Sequence, residues 1–418
     1  MNRTDLPINT RNLAAIIERR HIKKAWLACA IGVTPKTLRR WLNGSTRLMR
    51  RDNFDALVEA LGEKHRSELM DTGNAPLGSR SDQQQSAIAI SRRPFEELFL
   101  GTADYPLMES LLRTTLLPEL PEKIQARLYS DLALACFRQG KMEECKEHAR
   151  RTLELNPEED VAADARYRLA AALLFEARIR DAIRAFAACL RSGITEPYWL
   201  SGVWTGLGVA WNMEGDLKKS DRAHRAAMYR IPAIRDEARR HLRLARTYTF
   251  WADTRFEIGD IPGALNMIRQ SNDLYSGAGI RHSLHKNQLK MAWILASDGK
   301  REEALDLYSR HRRPYAKTQT KQQYATRINM VTTLRLCGRQ RTAMVLARQL
   351  LAETSPAPHA FFHARVLLEM SWLSSDPLTR QSYLREAAHD FHRAGAWSRS
   401  RALTERIFDQ PKGQALPG

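Results

Sequence analysis

The chain has 418 residues and carries 66 Lys or Arg against 47 Asp or Glu, a formal net charge of +19. That length allows two or three domains and a large core, and so positive a surface favours polyanionic partners. No apolar run approaches the roughly 20 residues needed to cross a bilayer, and the opening MNRTDLPINT lacks the apolar centre of a secretion signal. Five cysteines, at 29, 136, 145, 189 and 337, are scattered and make no CxxC pair. They read as reduced thiols, so the expected compartment is the cytoplasm, at the nucleoid, with no membrane partner.

The first predicted element is a helix over about 12–20. Residues 24–43, KAWLACAIGVTPKTLRRWLN, then read as two short helices joined by a tight turn. Leu27, Ile31, Val33, Leu38 and Trp41 fall at the spacings that bury one face of each helix, and small Ala28 faces the partner helix. Gly32 tolerates the positive φ that the bend demands. Thr34 is a good N-cap, and Pro35 loses nothing at the first helical position, where its missing amide would have no partner. The exposed side of the second helix carries Lys36, Thr37, Arg39 and Arg40, a face suited to a major groove. Trp41 and Leu42 read as core. A further helix is expected over 51–61, ended by Gly62.

Charge distribution points the same way. From Arg19 to Arg51 there are ten Lys or Arg and no Asp or Glu. Residues 1–70 hold 14 basic and 7 acidic side chains. Counterion release on neutralising DNA phosphates supplies much of the free energy of binding to a duplex. The bland alternative is a solvated basic face.

Over about residues 8–70 this segment closely resembles the Cro and phage-repressor (XRE) class of helix-turn-helix domains, in Ala28, Gly32, Val33, Thr34, Leu38 and the closing Asn43-Gly44. The resemblance implies a small helical bundle over 1–70 that binds double-stranded DNA. It makes Lys36 and Arg40 the leading base readers, with Thr37 and Arg39 close behind, and Lys24, Thr34, Asn43, Arg47 and Arg50 phosphate contacts. Lys or Arg can grip the O6 and N7 acceptors of guanine, so a G-containing half-site is expected. Pro35 stands where the class often places a polar base-contacting residue, which leaves base reading to fewer side chains.

Residues 71–93, DTGNAPLGSRSDQQQSAIAISRR, read as a flexible tether, with 87–90 apolar enough to dock. From 94 to 408 the sequence is helical and repeats. Segment 201–232 places Trp204, Leu207, Gly208, Trp211, Gly215, Ala227 and Pro232 at tetratricopeptide spacings, and 126–157 repeats the register with Tyr129, Leu132, Ala133, Gly140, Ala149 and Pro157. Further units carry Gly259 and Ala264, Gly299 and Ala304, and Gly338 and Ala343. A degenerate unit centres on Ala182 and Phe186, and a weak one spans about 358–394. Starts near 126, 163, 201, 245, 285 and 324 give six to seven repeats, closed by a helix over 396–408, with 409–418 a disordered tail. The fold class is therefore all-α, a small bundle followed by a solenoid.

One hairpin cannot cover its own apolar face, so several must stack, exposing a concave groove. Resemblance to tetratricopeptide proteins places Tyr167, Asn212, Arg246, Asp253, Lys286, Trp293 and Arg335 on that groove, where a peptide or protein effector would sit. The joint architecture resembles the bacterial regulators that join an XRE-type domain to tetratricopeptide repeats, the RRNPP group of peptide-responsive regulators. That resemblance implies a homodimer formed through the repeats and a peptide pocket. The group typically uses asparagines in the groove, whereas this array has few on its first helices (Asn212 and Asn329) and is rich in arginine. A protein-interaction scaffold localised to DNA is the rival reading.

Between Asp306 and Glu353 lies a second basic island, ten Lys or Arg with no acid. Contact with DNA beside the operator, contact with an acidic partner, and a solubilising face all remain open for it. No phosphate-cradling glycine loop, HExxH or GxSxG occurs, and the GLG at 206–208 is explained by repeat packing. His359 and His363, four apart, lack a third ligand, and His282 and His285 fare no better. Glu143-Glu144 and Glu302-Glu303 fall where acids favour helix N-termini. No catalytic residue, cofactor or metal is expected, and the chain does not read as an enzyme.

Overall fold

The computed structural model describes residues 5–46, 48–62, 69–70, 87–88, 90–91, 99, 104–318, 324–354 and 359–408. By contact the chain divides into two units, Met1–Arg93 with Pro106–Leu120, and Pro94–Tyr105 with Pro121–Gly418. Of the expected tether only 87–88 and 90–91 are described, and they are helical; the 409–418 tail lies outside the described residues.

In the first unit, α1 (Thr10–Arg19), α2 (Lys24–Ile31), α3 (Pro35–Leu42) and α4 (Arg51–Leu61) form a small bundle. Asn9 starts α1 two residues ahead of the apolar pattern, its side chain accepting from the Asn12 amide at 3.0 Å. The core is Leu13, Ile16 and Ile17 of α1, Leu27, Ala28 and Ile31 of α2, Leu38 and Trp41 of α3, and Phe54, Leu57, Val58 and Leu61 of α4. These are the three-and-four spacings of one helical face. An addition to the expected fold is a short antiparallel ribbon. In it β1 (Asp5–Pro7) pairs with β2 (Leu48–Arg50), Leu6 opposite Met49. Strands of three residues are too short for an alternating pattern to announce them. A further helix, α5 (Tyr105–Thr115), buries Leu107, Met108 and Leu112.

The second unit is a tetratricopeptide-like helical array. Its hairpins are α6 (Glu122–Gln139) with α7 (Met142–Glu154), α8 (Glu159–Phe175) with α9 (Ile179–Arg191), and α10 (Pro197–Glu214) with α11 (Leu217–Arg230). They continue through α12 (Glu237–Glu257) with α13 (Ile261–Gly277), α14 (Arg281–Ser297) with α15 (Arg301–Thr318), α16 (Tyr324–Leu336) with α17 (Gln340–Thr354), and α18 (Ala360–Leu373) with α19 (Pro377–Arg393). The closing helix is α20 (Trp397–Phe408).

Most hairpins turn through a left-handed glycine, such as Gly140 at φ 80° and Gly215 at φ 103°. The turn between α8 and α9 uses Ala177 at φ 57° instead. A left-handed residue with a Cβ costs about 1–2 kcal/mol, and the missing glycine is why that repeat looks degenerate in sequence. Close packing explains the GLG run. A Cβ on Gly206 would lie 2.4 Å from Cζ of Phe186, and one on Gly208 would lie 2.5 Å from Cε1 of His224. Small buried hydroxyls join neighbouring repeats: Thr205 meets Thr247 at 2.9 Å, and Ser220 meets Thr254 at 2.7 Å.

The array also folds back on itself. Phe361, Leu367, Ala387 and Phe391 share an apolar cluster with Ala177, Ile179 and Met213. The N-terminus of α20 then docks beside α10. Ser398 donates through N and Oγ to Glu214 at 3.3 and 2.9 Å, and Arg399 donates to the carbonyls of Asn212 and Met213 at 2.6 and 3.0 Å. Arg180 pairs with Glu214 at 2.9 Å while its guanidinium lies 4.1 Å from the Trp397 ring centroid.

Candidate functional site

The α2–α3 unit is built by local chemistry. Gly32 closes α2 in the left-handed conformation at φ 73°, and Thr34 caps α3 by accepting from the Thr37 amide at 3.1 Å, with Pro35 at the first position. The two hydroxyls of Thr34 and Thr37 also meet at 2.9 Å. Leu38 and Trp41 turn inward and are buried, which leaves Lys36, Arg39 and Arg40 exposed and Thr37 half-buried on the outer face. Lys24 is exposed at the start of α2. Among the described residues, none of Lys24, Lys36, Arg39 and Arg40 has an ion-pair or hydrogen-bond partner. Nearby Arg20, by contrast, donates to the Leu61 carbonyl, and Arg51 pairs with Asp55 at 3.7 Å.

The expected phosphate contacts divide. Thr34 and Asn43 are exposed, although Oδ1 of Asn43 already accepts from the amide and hydroxyl of Ser45 at 3.1 and 2.7 Å. Arg50 is half-buried at the junction of β2 and α4. Arg47 lies outside the described residues. Trp26, 53% exposed on α2 beside Lys24, is a large apolar side chain that the sequence reading did not single out.

In the array, the residues expected on the groove all lie on first helices of their hairpins, and most are already engaged. Asp253 pairs with Lys290 at 2.7 Å, and Arg335 pairs with Glu369 at 2.8 Å while lying 4.6 Å from the Trp372 ring. Arg246 donates to the Tyr198 hydroxyl at 3.2 Å. Asn212 reaches Thr254 at 3.5 Å. Tyr167 packs against Phe186 and Trp199, both with ring centroids at 5.9 Å. Lys286 is half-exposed, and burial together with the cations of Lys290 and Arg138 pushes its ammonium down to about 8, Asp253 partly opposing them. Trp293 is placed differently from its expected role. Only 9% exposed, it packs on Phe256 at 4.4 Å in an apolar cluster, because so large a ring fills the space between α12 and α14.

Several charged groups emerge that the sequence reading did not name. Arg168 and Asp164 pair at 2.9 Å, both nearly buried, with Ser130 donating to Asp164 at 2.7 Å. Burial lowers the pKa of Arg365, which donates to Oδ1 of Asn329 at 3.1 Å. His224 is wholly buried, stacked near Trp251, and its ring is pushed down to about 3 by burial. His282, half-buried, is pushed down to about 4, desolvation again leading.

His363 does not face His359. It meets Asp390 at 2.6 Å, whereas His359 lies against Tyr324. Donor atoms of Cys136, Glu144 and His148, and of His363, Glu386 and Asp390, come within 4.8 Å of one another. The second basic island is partly neutralised by acids outside it. Arg310 pairs with Asp306, Arg327 with Glu353, and Arg335 with Glu369, while Arg313, Arg339, Arg341 and Arg348 are exposed. Lys321 lies outside the described residues. No described helix is long and apolar enough to cross a membrane.

No protein-family model matches the chain, and no curated protein matches it. Among solved structures, it is similar to a Rap protein complexed with competence and sporulation factor. The TM-score is 0.53 at 12% identity, over 96% of this chain and 100% of that one. Weaker likenesses join it to NprR in complex with its cognate peptide NprX, at TM-score 0.47, 13% identity and 77% of this chain against 98% of that one. Bacillus thuringiensis PlcR in complex with the peptide PapR7 and DNA gives 0.37, 12%, and 65% against 95%. At such identities the likeness is one of fold, and the first comparison carries it.

Proposed function

We propose that the chain is a sequence-specific DNA-binding transcriptional regulator whose helical array mediates dimerisation and binds a peptide or protein effector. The observation that supports this reading most directly is α3. A rigidly capped helix presents Lys36, Arg39 and Arg40 outward with no protein partner among the described residues. Fixed, unpaired cations on a helix of that kind suit guanine acceptors in a major groove, with Lys24 and Thr34 placed for flanking phosphates. The likeness of this segment to XRE-type domains supports the assignment. The groove residues on α8, α10, α12, α14 and α16 supply aromatic, amide and charged contacts of the sort an extended peptide uses.

A dimer follows from the arithmetic of recognition. One short helix makes few base contacts, each worth about 1–3 kcal/mol against a wrong base. Two such helices, roughly 34 Å apart, read a palindrome and multiply the discrimination. Catalysis has no part in this reading, and its setting is the cytoplasm.

Selection of binding sites from a randomised duplex pool by the full chain tests it. The expected product is a palindrome with half-sites one helical turn apart, and an effector should then alter affinity for that duplex. A pool that stays unenriched at low ionic strength sinks the gene-control reading. Co-purification with a protein partner, with no change in DNA affinity, would favour a scaffold instead.

A further inference from the structure

His363, on α18, is buried, and its Nδ1 lies 2.6 Å from Oδ2 of Asp390, which is only 4% exposed on α19. An imidazole and a carboxylate in such contact are by themselves an ordinary structural pair. A second carboxylate sets this pair apart. Glu386 stands one helical turn before Asp390 on α19, and donor atoms of His363, Glu386 and Asp390 all lie within 4.8 Å of one another. His389, next to Asp390, brings its own Nδ1 to 3.7 Å from Oδ1 of that residue. One imidazole and two carboxylates therefore converge, with a second imidazole at their border.

Folding alone does not account for the arrangement. Like charges four apart on a helix face destabilise the helix. Asp390 is compensated, since Arg393 lies 3.2 Å from its Oδ1, but Glu386 has no hydrogen-bond or ion-pair partner among the described residues. Glu386 and Arg393 are both exposed, which gives a cation a way in from solvent and the guanidinium room to withdraw. The sequence reading set His363 aside because His359 brought no third donor. The donors come instead from α19, with Asp390 27 positions further on.

We propose that His363, Glu386 and Asp390 bind a divalent first-row transition-metal ion, with zinc the best fit. Imidazole and carboxylate donors suit zinc, whereas magnesium and calcium take all-oxygen sets and copper(I) takes sulfur. Zinc bonds to nitrogen and oxygen of about 2.0–2.2 Å place neighbouring donors roughly 3.3 Å apart. The His363–Asp390 contact then opens slightly while Glu386 draws in, and an exposed side chain is free to make that larger movement. The ion ties α18 to α19. Phe361 of the first and Ala387 and Phe391 of the second share the apolar cluster in which the array folds back onto Ala177, Ile179 and Met213. A clamp at this place stiffens the hairpin that makes the closure, because metal binding free energy adds to folding free energy.

Calorimetry and thermal unfolding of the untagged, chelator-washed full chain test this without DNA, with the chlorides of Zn2+, Co2+, Mg2+ and Ca2+ as probes. At ten times Kd, Zn2+ should raise Tm by about 2 °C. Glu386→Gln, at an exposed position, should weaken that binding at least tenfold while the metal-free variant melts with the parent. Arg393→Gln should tighten it, since the competing cation is gone, an effect that zinc held by histidines elsewhere would not show. Bound Co2+ should give visible d–d bands that Glu386→Gln diminishes and that come without thiolate charge transfer.

Four results overturn the proposal: no stabilisation by zinc, equal zinc binding by the parent and Glu386→Gln, cobalt bound only through thiolate, or Mg2+ or Ca2+ bound as tightly as Zn2+.

Discussion

Two sets of cations, on α3 and in the helical array, are handled in opposite ways. Lys36, Arg39 and Arg40 stand exposed and unpartnered among the described residues. Lys146, by contrast, sits between Glu143 and Glu176 at 2.8 Å each, Lys290 holds Asp253, and Arg335 holds Glu369. A paired buried charge is architecture, because removing its partner leaves an uncompensated ion in a poor solvent. A free exposed charge contributes little to folding and remains available to a ligand. The second basic island falls between the two, with Arg310, Arg327 and Arg335 paired to Asp306, Glu353 and Glu369 and Arg313, Arg339, Arg341 and Arg348 exposed.

The sharpest way to break this contrast is at Glu214, 3% exposed and joined to Arg180 and Ser398. Glu214→Ala should cost about 3 kcal/mol in chemical denaturation, since the fold-back of α20 loses its acceptor. A loss below 1 kcal/mol would mean that the apolar cluster alone secures the fold-back.

Acid probes the same distinction through two histidines that desolvation keeps neutral. His224 and His282 have folded values near 3 and 4, below the unfolded 6.5. Unfolding therefore takes up protons below pH 6.5. Their stabilisation is complete above that pH and is lost as pH falls towards the folded values. Between pH 6.5 and 4.5 each should remove about 2–3 kcal/mol of stability, and His224→Gln should flatten the profile by its share. An unchanged profile in that variant would place the titration elsewhere.

Smaller effects mark the other side of the contrast. The combined Lys36→Ala, Arg39→Ala and Arg40→Ala variant should keep its unfolding free energy within about 1 kcal/mol of the parent, because these side chains satisfy nothing in the fold. Arg310→Ala, which breaks an exposed pair with Asp306, should change it by no more than about 0.5 kcal/mol. A larger change in either would show exposed charge acting structurally here.

Local signals were legible in the sequence, and distant ones were not. The cap at Thr34, the bend at Gly32 and the bounds of α4 follow from residues within a turn of each boundary. Hairpin starts could be read from recurring Gly and Ala, which fail at Ala177, where the turn adopts the glycine conformation without the glycine. Nothing local announces that Ser398 and Arg399 return to α10 some 184–187 positions earlier. Trp293 shares its helix with half-exposed Lys286, and only the proximity of Phe256 decides that the ring is covered. The arginines at 239 and 243 stand in plain sight in RRHLRLAR, but that neither meets a carboxylate among the described residues can be seen only in three dimensions.

Fluorescence anisotropy on a selected duplex and a scrambled one, with the parent, Arg40→Ala and Lys24→Ala, tests the central claim most directly. Arg40→Ala should lose about 10- to 100-fold on the selected duplex and little on the scrambled one, whereas Lys24→Ala should weaken both alike. Equal losses on the two duplexes for Arg40→Ala would contradict base reading by α3.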